Sequence, residues 1–85
     1  MQYSVYILQS QSTGRYYCGH TSDLKRRLAE HNDQNYLGSK TTKRFQGPWD
    51  LRWSHQLSSR AEAMALEKQI KNRGIKRHLE KVQSV

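Results

Sequence analysis

Residues 2–32 read QYSVYILQSQSTGRYYCGHTSDLKRRLAEHN, and the order of segment types in that run decides the fold. Gln2 to Gln9 is rich in β-branched and aromatic residues, the composition of a strand. Ser10 to Gly14 is a polar turn closed by a glycine that tolerates positive φ. Arg15 to His20 then reads as a second strand, and the short connection makes the pair an antiparallel hairpin. Thr21, Ser22 and Asp23 supply candidate N-caps, and Asp23 also suits the positive end of a helix dipole. A helix follows as LKRRLAEHN.

Outward from that unit, Asp33 to Pro48 is polar and glycine-dotted and reads as a long surface loop. Trp49 to Leu57 alternates Leu51, Trp53 and His55 against Asp50, Arg52 and Ser54, which predicts a third strand with one face inward. Ser59 with Glu62 forms a capping box that opens a helix running through Asn72, with Ala63, Leu66 and Ile70 as its apolar stripe. Gly74 is placed to end it. A last helix from Ile75 to about Val82 carries Ile75, Leu79 and Val82 on one side. The order β-β-α-β-α-α predicts a small α/β (α+β) sandwich: a three-stranded, largely antiparallel sheet flanked by helices, with residues 1–85 as one domain.

The composition agrees with a lean core and an anionic partner. Of 85 residues 34% are hydrophobic, and the formal charge of +8 points first to nucleic acid. Cys18 is the only cysteine, which rules out an intrachain disulfide and fits a reducing compartment. The apolar run at the start is too short for a secretory h-region or a membrane span, so a soluble cytoplasmic protein with no membrane partner is expected.

Helical geometry isolates the residues able to carry chemistry. At about 100° per residue, Leu24 and Leu28 define the buried stripe of the first helix. Arg27 and His31 stand one turn apart on its flank, along the seam with the hairpin, whereas Arg26 and Glu30 point toward water. Tyr17 and Gly19 share one strand face, and Tyr6 lies mid-strand on the partner. Two phenols, a guanidinium and an imidazole on one seam suit a phosphodiester; Tyr6 and Tyr17 also suit a core with polar handles. Glu67, on the flank of the later apolar stripe, suits Mg²⁺ or an i,i+4 pair with Lys71. His20, His55 and His78 have no metal-ligand spacing and read as surface or seam histidines. Lys40, Lys43 and Arg44, between Tyr36 and Phe45, suit phosphate and unstacked bases, and Lys68, Lys71, Lys76 and Arg77 suit a backbone track. Mobile loop and solvated surface are the alternatives for those two basic groups.

SVY at 4–6, YCG at 17–19, RRLAEHN at 26–32 and Glu67 within ALEKQIK together resemble the GIY-YIG nuclease superfamily, in its small stand-alone branch (UPF0213-like). The N-terminal nuclease domain of the excision-repair endonuclease is similar. The resemblance covers nearly the whole chain. It implies metal-dependent phosphodiester hydrolysis on DNA, weakly specific or structure-directed, with DNA ahead of RNA. Tyr6 would then act as general base or orient the attacking water, and Tyr17 would contact the scissile phosphate. Arg27 would stabilise the transition state, with His31 assisting phosphate binding or proton transfer. Glu67 would hold one ion, Mg²⁺ or Mn²⁺. Ser4 replaces the glycine of the first motif, and Cys18 occupies the middle of the second. No asparagine role carries over to Asn72, which stands only a little beyond Glu67. With no second module to read sequence, specificity would come from a protein partner or self-association. The rival reading is a nucleic-acid-binding or repair-complex interaction module with little turnover.

Overall fold

The computed structural model describes residues 2–32 and 48–83. Strand β1 (Tyr3–Ser10) is central, flanked by β2 (Tyr16–Thr21) and β3 (Trp49–Leu57), and both pairings are antiparallel. Helix α1 (Leu24–Asn32) covers one face of the sheet, and α2 (Arg60–Arg73) with α3 (Ile75–Gln83) covers the other. This is the predicted β-β-α-β-α-α sandwich, with both hairpin strands displaced by one residue.

Because β1 lies between two helical layers, both of its faces are buried, and its run YSVYILQS lacks the polar alternation of a half-exposed strand. Val5 and Ile7 join Cys18, Ala63, Ile70 and Leu79 on the α2–α3 side. Tyr6 and Leu8 join Trp49 on the α1 side, with Tyr17, Leu24 and Leu28 packed against them. The hairpin turn closes through Gly14, whose φ of 76° is the left-handed conformation the turn requires, and whose N–H donates to the Ser10 carbonyl at 2.9 Å.

The expectation of one inward face on β3 does not hold. Ile7 pairs with Trp53 and Leu8 with Leu51, so Arg52 has no partner in the register and forms a β-bulge. A bulge reverses side-chain parity beyond it. Trp49 therefore buries on the α1 side while Trp53 packs on the α2–α3 side, and Leu51 and His55 are exposed.

The helix ends follow their local signals. The Asp23 carboxylate accepts the Arg26 N–H at 3.1 Å and caps α1. Ser59 Oγ accepts the Glu62 N–H at 3.2 Å and caps α2. At the far end of α2 the Gly74 N–H donates to the Ile70 carbonyl. In α3 the inward set is Leu79, His78 and half-buried Ile75; Val82, expected inward, is 41% exposed. Asn32 at the end of α1 makes a two-way bridge to Trp49: its Nδ2 donates to the Trp49 carbonyl at 3.2 Å, and the Trp49 N–H donates to its Oδ1 at 2.7 Å. That bridge ties the last residue of α1 to the first of β3.

Candidate active site

The hairpin and α1 bring four of the expected residues together on the α1 side of the sheet. Tyr6 lies opposite Gly19 in the β1–β2 register, and Tyr17 stands two residues earlier on the same face. The Tyr6 hydroxyl lies 2.9 Å from His31 Nε2. Ring centroids are 6.2 Å apart for Tyr6 and Tyr17, 5.8 Å for Tyr6 and His31, and 4.9 Å for Tyr17 and His31.

Gly19 makes this convergence possible. A Cβ at that position would stand 2.8 Å from the Tyr6 hydroxyl oxygen, too close for either atom to stay in place, and 3.1 Å from Tyr17 Cε1, close enough that the ring must give slightly. The glycine of the second motif is thus the floor over which the two phenols meet, a role in which backbone conformation plays no part.

Burial sets the proton balance of the cluster. Tyr6 is pushed well above the ordinary phenol range, first by burial and then by Tyr17, against the opposing effect of its hydrogen bond with Arg27. His31 is pulled down to about 4 by burial and by the charge of Arg27. At neutral pH the pair is therefore a neutral phenol beside a neutral imidazole. Arg27 stays a cation: burial disfavours its charge, but hydrogen bonds with Tyr6 and Glu30 outweigh that. Glu30 does not point to water as expected. Its carboxylate takes the Arg27 Nη1 donor at 3.2 Å and lies 3.9 Å from Arg26 Nε, so it steadies the arginine from the helix side.

Glu67 stands apart from this cluster, on the α2 side of edge strand β2. Its Oε1 is 2.8 Å from His20 Nδ1, and its Oε2 accepts from Lys71 Nζ at 3.0 Å. Burial raises its pKa, but the hydrogen bonds from His20 and Lys71 prevail and keep the carboxylate ionised. Its charge reaches the phenol cluster, being among the influences that raise Tyr6.

Sequence spacing places His20 near no acid, because forty-seven positions separate it from Glu67. The available signal was alternation. His20 must face away from Gly19, toward the side where the amphipathic α2 packs. Lys71 belongs to the ion pair its i,i+4 spacing allowed, while Lys68, Lys76 and Arg77 are exposed on α2 and α3. Lys40, Lys43 and Arg44, with Tyr36 and Phe45, lie outside the described residues. His55 stacks on Trp53 with centroids 6.1 Å apart, and His78 meets the same ring edge-on at 4.6 Å.

The GIY-YIG catalytic domain matches residues 2–81. The chain belongs to the GIY-YIG family. Within it, a UPF0213 protein of Halobacterium salinarum is 43% identical over 79% of this chain and 82% of its own. The structure-specific endonuclease subunit SLX1 of Meyerozyma guilliermondii is 36% identical over 91% of this chain, which spans only 27% of that larger protein. The solution NMR structure of a UPF0213 protein from Bacillus halodurans, 30% identical, superposes with a TM-score of 0.57 over 98% of this chain and 84% of its own. The chain is thus a UPF0213-branch GIY-YIG domain with the fold of a nuclease family. Among the described residues no helix is long and apolar enough to cross a membrane.

A divalent cation is the group the GIY-YIG family suggests, and Glu67 offers it one carboxylate, whose Oε2 is shared with the Lys71 ammonium at 3.0 Å. The carboxylate is ionised, one fifth exposed, and has an imidazole nitrogen beside it. No group of three or more His, Cys, Asp and Glu side chains occurs among the described residues. Such a site leaves most of the coordination sphere to water and phosphate oxygens, the habit of Mg²⁺ and Mn²⁺ at phosphoryl centres.

Proposed function

We propose that this GIY-YIG domain is a metal-dependent endonuclease that hydrolyses phosphodiester bonds in DNA, weakly specific or directed by DNA structure. The observation that carries the reading is the Tyr6–His31 hydrogen bond, held over Gly19 beside Tyr17 and Arg27. Relatives named as structure-specific endonuclease subunits support cleavage directed by the structure of the substrate, and their being subunits supports a protein partner. The +8 charge supplies attraction to the phosphate backbone.

The chemistry follows from the protonation states. A phenol with a raised pKa is no free anionic base, so Tyr6 works as a relay. It receives a proton from the attacking water as its own proton passes to Nε2 of neutral His31; the depressed pKa leaves that nitrogen unprotonated beforehand and makes the imidazolium a transient that releases its proton to solvent. The water oxygen bonds to phosphorus while the bond to the 3′ oxygen breaks, and that oxygen takes a proton from solvent. Arg27 faces the charge developing on the non-bridging oxygens, where a fixed guanidinium is worth several times its value in bulk water. Tyr17, one ring away, positions the scissile phosphate. Glu67, on the other side of edge strand β2 from this cluster, would hold a divalent ion, which would supply Lewis-acid polarisation of the phosphate and stabilisation of the leaving oxygen.

The test is incubation with plasmid, flapped and branched DNA plus Mg²⁺ or Mn²⁺. Nicking should vanish with chelator and in Arg27→Ala and Glu67→Ala. Cleavage unchanged in both variants overturns the assignment. A nucleic-acid-binding module with little turnover is the second reading, favoured by the closed Glu67–Lys71 pair. Salt-sensitive binding with no product, across all DNA forms and both metals, decides for it.

A further inference from the structure

We propose that His20 is a second protein donor to the cation at Glu67, making the site selective for a first-row transition ion such as Mn²⁺ over Mg²⁺. The proposal rests on the reading of Glu67 as the metal-holding acid and goes beyond it in naming a nitrogen ligand and the ion it selects.

The two donors already stand at about the separation that two ligands of one cation require. Ligands bonded at about 2.1 Å and cis to one another stand roughly 3.0 Å apart; His20 Nδ1 and Glu67 Oε1 are 2.8 Å apart. A cation can take the place of the proton these atoms share, which leaves to solvent, once each side chain turns so that its lone pair points at the ion rather than at its partner. Both residues sit on regular elements, His20 within β2 and Glu67 well inside α2, so the spacing is set by the packing of helix on sheet. Lys71 holds the other carboxylate oxygen, which leaves Oε1 to bind through a single contact. His20 and Glu67 are 23% and 19% exposed, open enough for an ion with its waters to enter.

The nitrogen decides the metal. Mg²⁺ prefers hard oxygen donors in strict octahedral geometry and gains little from an imidazole. First-row divalent ions gain from nitrogen, increasingly along the series from Mn²⁺ to Cu²⁺.

Pulsed electron paramagnetic resonance on the intact protein, loaded with substoichiometric Mn²⁺, reads the ligand directly. The wild type should show nitrogen modulation from a directly bound imidazole, and His20→Ala should lose it. Titration should show Mn²⁺ affinity falling at least tenfold in His20→Ala and His20→Asn, with Mg²⁺ affinity changing less than twofold. Absence of nitrogen modulation in the wild type overturns the proposal without any variant. So does modulation that persists in His20→Ala, or an equal loss of affinity for both ions. DNA that stays intact beside a nitrogen-coupled Mn²⁺ refutes the nuclease reading alone. Metal-dependent cleavage without a nitrogen ligand refutes this inference alone.

Discussion

Replacing Gly19 with alanine puts a methyl carbon 2.8 Å from the Tyr6 hydroxyl oxygen, 3.0 Å from Tyr6 Cζ and 3.1 Å from Tyr17 Cε1. Ordinary contact at those pairs begins near 3.4 Å, so the Tyr6 ring must yield by roughly half an ångström. It has nowhere to go: Tyr6 is 1% exposed, packed with Leu8 and Trp49, and tethered to His31. Overpacking of this kind costs about 1–3 kcal/mol. Straining the Tyr6–His31 hydrogen bond adds about 1 kcal/mol. Against these, alanine stiffens the unfolded chain, a gain of about 0.4–1 kcal/mol. The steric cost wins, leaving a net loss of about 1–3 kcal/mol. In a domain of this size that lowers Tm by roughly 4–24 °C. Thermal and urea melts measure it. The Tyr6→Phe background refines the test, because removing the hydroxyl deletes the nearest atom and should lower the cost of Gly19→Ala. A Gly19→Ala protein within about 0.5 kcal/mol of wild type, equally so in both backgrounds, refutes the reasoning.

Other outcomes follow from the same geometry. His31 binds its proton more weakly folded, at about 4, than unfolded, near 6.5, so the unfolded chain carries more protons between those values. Stability is therefore full above pH 6.5 and falls toward pH 4, by about 3 kcal/mol across the window, and His31→Gln should flatten that slope in Tm against pH. Asn32→Ala removes both bonds to the Trp49 backbone and should cost about 1–3 kcal/mol, read by urea melts. Cys18 is buried and its thiol is pushed up to about 12, so native protein should resist thiol reagents at pH 8 and label fully in denaturant.

What could be read from the chain alone is what acts over a few residues. The hairpin turn at Gly14, the caps at Asp23 and Ser59, the end of α2 at Gly74 and the placing of Arg27 and His31 one turn apart on α1 depend on neighbours within a turn or two, and each stands where local chemistry places it. Element order follows from these, and with it the fold. Tertiary packing decided the remainder. The Arg52 bulge sends Trp49 and Trp53 to opposite cores, because strand register is set by the partner strand and not by alternation. The shared face of Tyr17 and Gly19 was legible from period two; that Gly19 must lack a side chain emerges only when Tyr6 crosses from the neighbouring strand. The pairing of His20 with Glu67 depends on where a helix formed late in the chain lands against the first hairpin. Local interactions specify elements, whereas a site between elements exists only after the burial of apolar surface has brought distant residues into contact.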